Sequence, residues 1–159
     1  MFNVVLVNPE IPPNTGNIGR LCVAVGARLH LIKPLGFHID DKHLKRAGLD
    51  YWQKLDLVIW ESLDHYLGSV AADNVVLTGS KRGKLHYQVE FRPWDHILFG
   101  PETSGLSSNL FGRFPSRIAR IPIDLQKTRS LNLSTAAGII VFEGLRQLNY
   151  VPGSSSEGI

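Results

Sequence analysis

Apolar residues in this chain gather in short runs that alternate with turn-forming residues. The first run, residues 4–7 (VVLV), is closed by Asn8 and Pro9 and reads as a buried strand. Pro12 and Pro13 interrupt regular structure, and Asn14 or Thr15 is placed to cap the helix that follows. In that helix Ile18, Leu21, Cys22 and Val25 recur at i, i+3, i+4 and i+7, on one face, and Gly26 stops it. Residues 29–32 form a second strand. Strand, helix and strand in this order make a β-α-β unit, which implies a parallel sheet.

Further strands are predicted at residues 57–60, 75–78, 96–99 and 118–121. Short helices are predicted at 40–47 and 62–67, and a long one from Leu131 to about Leu148. The fold class is α/β, a mostly parallel sheet flanked by helices. Three late strands end in turns carrying Gly or Pro. In an open α/β sheet, ligands sit beyond the carboxyl ends of strands, so the loops after Thr78, Phe99 and Ile121 are the predicted site.

Composition sets the frame for this pattern. The 159 residues are 43% hydrophobic and 19% charged, which fits a folded chain and excludes extensive disorder. One domain is expected over residues 1–150, with a flexible tail at 151–159. Cys22 is the single cysteine, which excludes a disulfide framework and a multi-cysteine zinc site. No uncharged apolar run approaches a membrane span, and the MFNVVLVNPE start has no early basic residue, so a cytoplasmic protein is expected. The net charge is +3, concentrated late: residues 81–159 hold 10 basic and 6 acidic side chains against 7 and 8 in residues 1–80. That excess is compatible with a polyanionic partner without establishing one.

Several familiar sites are absent. There is no G-x-G-x-x-G after the first strand and no G-x-S-x-G elbow. Residues 79–84 (GSKRGK) are one residue short of a P-loop and lack its Ser or Thr. The six histidines show no H-x-x-x-H spacing, so no metal site is predicted.

Three segments are poorly explained by local structure. NTGNIGR at 14–20 puts two glycines into the first turns of a helix, at about 1 kcal/mol each, which suggests a close approach to the backbone. LFGPETSGL at 98–106 runs a buried strand straight into Gly100, Pro101 and Glu102. In residues 121–134 the polar stretch Lys127 to Ser130 leads into a largely apolar helix that Ser130 or Asn132 caps.

Together NTGNIGR, LFGPETSGL and IPI…SLNLSTAAGIIVFE, in this order, resemble the SPOUT superfamily of knotted RNA methyltransferases. The resemblance covers about residues 2–150 and is closest to the minimal single-domain branch, whose members act on tRNA. It implies a C-terminal trefoil knot and an S-adenosyl-L-methionine site at Leu77, Thr78, Gly79, Gly100, Glu102, Ile121, Ser130 and Leu131. It implies 2′-O-methylation of a tRNA nucleotide, at wobble position 34 of the anticodon stem-loop, with ribosomal RNA methylation or a non-catalytic RNA-binding module as alternatives. Phe142 stands where relatives commonly carry Tyr.

Within that frame Arg20, Ser130 and Asn132 are the candidate catalytic residues. A guanidinium stays protonated, so Arg20 suits a developing alkoxide and a neighbouring phosphate rather than the role of base. Asn14, Asn17, Lys42, Arg46, Arg82 and Arg129 are candidate RNA contacts, within a wider basic set that includes Lys45, Lys81, Lys84, Arg113, Arg117, Arg120 and Lys127. The last helix carries one apolar stripe, with Ile139 and Phe142 outside it. Small residues at Ala136, Gly138 and Gly144, and at Gly16 and Gly19 of the first helix, lead to the expectation of a homodimer joined through the two helices.

Overall fold

A computed structural model describes residues 1–39 and 49–151. The predicted helix at 40–47, Lys42, Lys45 and Arg46, and the tail from 152 onward lie outside the described residues.

Among the described residues, the strands are β1 (Asn3–Val7), β2 (Arg28–Ile32), β3 (Leu57–Trp60), β4 (Val75–Thr78), β5 (Lys84–Leu85), β6 (His96–Phe99) and β7 (Ile118–Arg120). They form one seven-stranded sheet in the order β3-β2-β1-β6-β4-β7-β5, with every pairing parallel. The helices are α1 (Pro12–Val25), α2 (Leu49–Trp52), α3 (Leu63–Gly68), α4 (Ser108–Arg113) and α5 (Leu133–Gln147). β1 is buried along its whole length because both faces of the sheet are covered. Val4 and Leu6 point to one face, where Ile18 and Cys22 of α1 and Ala137, Ile140 and Val141 of α5 pack. Val5 and Val7 point to the other, against Tyr66 and Leu67 of α3 and Leu110 of α4.

The described helix ends differ from the expected ones at two points. α1 begins at Pro12, not after it, because a missing N–H costs nothing in the first turn of a helix. Its N-cap is Ile11, which offers no side-chain bond, so Asn14 and Thr15 are buried inside the first turns and cap nothing. α5 starts at Leu133, capped by the Asn132 side chain, which accepts from the Ser134 and Thr135 amides. Gly26 ends α1 in the left-handed region, its N–H turned back to the Cys22 and Val23 carbonyls. Three elements were not predicted from the sequence: the four-residue helix α2, the two-residue strand β5 and the short helix α4.

Candidate active site

The carboxyl ends of β4, β6 and β7 open into a cavity of about 600 Å³. Of the predicted cofactor residues, Thr78, Gly79, Gly100, Glu102, Ile121, Ser130 and Leu131 line it. Leu77 does not: it is fully buried in β4, one position before the lining begins. Asn14, Asn132, Arg82 and Arg129 line the cavity as well. Asn17 and Arg20 lie exposed on α1 and are not part of the lining. The Arg20 guanidinium has no hydrogen-bond or ion-pair partner among the described residues. Arg20 lies six positions beyond Asn14, roughly 9 Å along the helix axis at 1.5 Å per residue.

The three motif segments meet through side-chain hydrogen bonds. Glu102 accepts from the Glu10 amide at 2.8 Å, from the Ile11 amide at 3.1 Å and from Asn14 Nδ2 at 3.1 Å. Its carboxylate therefore faces the start of α1, where a negative charge offsets the free N–H groups and the helix dipole. Glu10 returns the contact, accepting from the Thr103 amide at 2.9 Å and the Thr103 hydroxyl at 2.8 Å. Asn14 Oδ1 accepts from Asn132 Nδ2 at 2.9 Å, and Asn132 Oδ1 caps α5. Glu10 and Thr103 carried no sequence signal, because their partners lie more than 90 positions away.

The glycines are explained by the chain itself. A Cβ on Gly100 would fall 2.2 Å from the Gly105 carbonyl carbon and 2.3 Å from the Leu106 nitrogen, so the loop after β6 doubles back over it. The close approach predicted at Gly16 and Gly19 comes from α2 and the residues after it. The Tyr51 hydroxyl donates to the Gly16 carbonyl, and a Cβ on Gly19 would meet Leu55 at 3.2 Å and Trp52 at 3.4 Å.

The basic residues separate into two groups. Lys81, Arg82 and Arg129 stand exposed on the cavity lining, with Arg82 over the Phe111 ring. Arg117 is only 12% exposed and grips the fully buried Asp95, which removes it from the expected RNA contacts. Arg113 pairs with Asp64, at 3.5 Å, on the side of the sheet where α3 and α4 pack.

S-adenosyl-L-methionine fits this cavity by size and by chemistry. The volume is in the range of small-ligand sites. Ile121, Leu131, Ala136 and Ile140 offer an apolar wall, and Gly79 and Gly100 add side-chain-free backbone to the lining. Among the described residues Glu102 is the only acidic one in the lining, and its oxygens are already held by amides.

Comparison with known proteins gives the same class. The pattern of the SpoU rRNA Methylase family matches residues 1–142, and the chain belongs to that family. A tRNA (cytidine(34)-2′-O)-methyltransferase of Aeromonas hydrophila is 46% identical over 158 residues, covering 99% of this chain and 100% of that protein. The tRNA (cytidine(34)-2′-O)-methyltransferase of Escherichia coli strain K12 is 42% identical over 155 residues, covering 97% of this chain and 98% of that protein. A solved structure concerned with the 2-OH methylation of C/U34 on tRNA superposes with a TM-score of 0.85 at 42% identity, over 94% of this chain and 97% of that one. The SpoU methyltransferase AviRb of Streptomyces viridochromogenes, in complex with AdoMet, superposes at 0.81 with 25% identity, over 92% of this chain and 57% of that one.

Proposed function

We propose that this protein methylates the ribose 2′-hydroxyl of nucleotide 34 in tRNA, taking the methyl group from S-adenosyl-L-methionine and gripping the anticodon stem-loop. The observation that carries the reading is the cavity at the ends of β4, β6 and β7, built from the three motif segments with its one carboxylate tied down. When bound, the cofactor would supply an electrophilic methyl carried on a sulfonium, whose positive charge fades as the methyl is transferred. A site without a free carboxylate does not favour that charge in the ground state, which keeps the barrier low.

Thr78, Gly79, Gly100, Ile121, Ser130 and Leu131 would hold the cofactor. Arg20 stabilises the oxyanion that develops on the ribose and pairs with a flanking phosphate. Asn132 holds the loop that carries Ser130. The described lining has no histidine and no free carboxylate, so the hydroxyl proton passes to substrate phosphate or solvent, directly or through Ser130. Lys81, Arg82 and Arg129 receive the RNA backbone at the cavity mouth.

The site is shared between two copies of the chain in this reading. Arg20 lies outside the cavity of its own chain, and Phe142 of α5 is 56% exposed. A homodimer through α1 and α5 covers Phe142 and brings Arg20 to the partner's cavity. The small residues at the contact are fewer than expected: Gly16 and Gly19 face Tyr51, Trp52 and Leu55, and Gly144 faces Phe2, while Gly138 stays open. Residues 1–150 act as one cytoplasmic methyltransferase domain. The insertion of β7 between β4 and β5 supports a path that threads the 121–132 segment into a trefoil knot. Among the described residues no helix is long and apolar enough to cross a membrane, and no cluster of potential metal ligands occurs.

Incubation of the protein with labelled cofactor and tRNA, followed by mass mapping of nuclease fragments, tests this. Methyl transfer to ribose 34, unaffected by a metal chelator, is expected. Transfer to ribosomal RNA instead, or none, overturns it. Arg20→Ala should lower the rate at least about a hundredfold, roughly 2.7 kcal/mol of barrier, with cofactor affinity retained.

A further inference from the structure

Tyr51 lies on α2 and is 9% exposed. Its hydroxyl donates to the Gly16 carbonyl of α1. In an α-helix that carbonyl also receives the N–H four residues on, which belongs to Arg20. Beside it, the Tyr51 ring would stand 3.6 Å from a Cβ on Gly19, with Trp52 and Leu55 closer still. Two glycines three residues apart thus form a seat for this aromatic side chain, directly under the turn that bears Arg20.

Arg20 itself has no partner that would aim it among the described residues, and its side chain carries about 2 kcal/mol of rotamer entropy. What is fixed is the position of its Cα and the Cα–Cβ direction in which it leaves α1, and the helix turn sets both. Burial raises the phenol's pKa and the Arg20 charge opposes that rise, so Tyr51 stays a donor within reach of the guanidinium's field.

We propose that Tyr51 is a positioning residue for methyl transfer: its hydroxyl, bonded to the Gly16 carbonyl, fixes the turn of α1 that aims Arg20. The proposal rests on the reading of Arg20 given above.

The test is a double-mutant cycle on the full chain with tRNA. Tyr51→Phe keeps the ring on Gly19 and deletes the hydroxyl. It should lower kcat about tenfold while KM for tRNA and affinity for S-adenosylhomocysteine stay within about twofold, as a misaimed catalytic group would. In an Arg20→Lys background, whose residual activity is measurable, Tyr51→Phe should change kcat by less than about twofold, because the geometry it protects is already lost. Gly19→Ala, which presses on Leu55 from the α1 side, should reproduce both results if Tyr51→Phe does not fold. An unchanged kcat in Tyr51→Phe, an equal tenfold loss in both backgrounds, or a loss confined to cofactor affinity would each overturn the proposal. Full activity in Arg20→Lys would remove the Arg20 role and this proposal with it. Reduced activity in Arg20→Lys with an unaffected Tyr51→Phe removes this proposal alone.

Discussion

Asn14 Oδ1 accepts a hydrogen bond from Asn132 Nδ2 at 2.9 Å, across 118 positions of sequence. Asn14 Nδ2 at the same time donates to Glu102. One buried amide therefore links the first turn of α1, the loop after β6 and the cap of α5. Since an amide offers both a donor and an acceptor, Asn is suited to this place in a way that a carboxylate is not.

Asn14→Ala should weaken S-adenosylhomocysteine binding by about tenfold and lower stability by about 1–3 kcal/mol, the range for a buried hydrogen bond left without its partner. Titration calorimetry and urea denaturation measure the two effects. Asn14→Asp should be worse than Asn14→Ala at neutral pH, because it sets a second carboxylate 3.1 Å from Glu102. An Asp variant as stable as the Ala variant would contradict the relay.

Gly100→Ala should abolish cofactor binding. The added methyl would fall on the backbone of Gly105 and Leu106, where no side chain can swing aside. The loop after β6 must then open, and that loop is one wall of the cavity. Calorimetry on folded protein, checked by circular dichroism, should show the loss; affinity within twofold of the parent chain would contradict it.

The strands were legible because apolar β-rich runs ended in Gly, Pro or Asn, and the cavity was legible because ligand sites follow strand ends in parallel sheets. β5 was not legible: Lys84 and Leu85 make too short a run to carry a pattern. Pro12 and Pro13 read as a barrier although they occupy helix positions where an N–H is not needed. The role of Glu102 at the start of α1 depends on a contact between residues 92 positions apart, which no local rule reveals. Arg117 read as a surface cation for the same reason, since Asp95 lies 22 positions away.

The pair formed by Arg117 and Asp95 predicts a stability effect separate from RNA binding. Asp95 is fully buried. It accepts from Arg117 through both oxygens, including one bond of 2.8 Å, and from the Arg92 amide at 2.7 Å. Arg117 also donates to the Asp73 and Glu90 carbonyls. Arg117→Ala strands the buried carboxylate and should cost about 3–5 kcal/mol in urea denaturation. The salt dependence of tRNA binding, measured well below the denaturation temperature, should not change. Arg129→Ala should do the reverse, leaving stability alone and reducing the salt slope by about one.

Stability should fall on mild acidification through His30. Trp60 Nε1 donates to His30 Nδ1 at 3.0 Å, so the proton sits on Nε2, which faces Asn3 Oδ1. Burial, then the charges of His96 and Arg28, lower its pKa from 6.5 to about 4, with Asp56 opposing. His96, beside Tyr66, is lowered in the same direction by burial. A folded-state pKa below the unfolded one means that the unfolded chain binds the extra proton first. Full stability is therefore present above pH 6.5 and is lost progressively towards pH 4. Urea midpoints at pH 7.5, 6, 5 and 4.5 measure this. His30→Asn should flatten the slope over that window, and an unchanged slope would assign it to other groups.

The last prediction concerns Phe142. α5 already buries Ala137, Ile140, Val141, Gly144 and Leu145 against its own sheet. Phe142 lies off that stripe, and a phenyl ring left 56% exposed on a helix is a large apolar surface to leave in water. Gly138 leaves open space on the same helix. In the proposed dimer Phe142 is covered by the partner, and the partner's Arg20 completes the site. Sedimentation of the parent chain should then give twice the 17.7 kDa chain mass at low micromolar concentration. Phe142→Asp should give the single-chain mass, with a folded circular dichroism spectrum and methyl transfer reduced about a hundredfold. Mixing Arg20→Ala chains with Gly100→Ala chains discriminates further. A shared site recovers part of the activity, because one cavity in each mixed dimer then has both an intact loop and an intact arginine. A monomeric parent chain with full activity would rule out the shared site and return Arg20 to the cavity of its own chain.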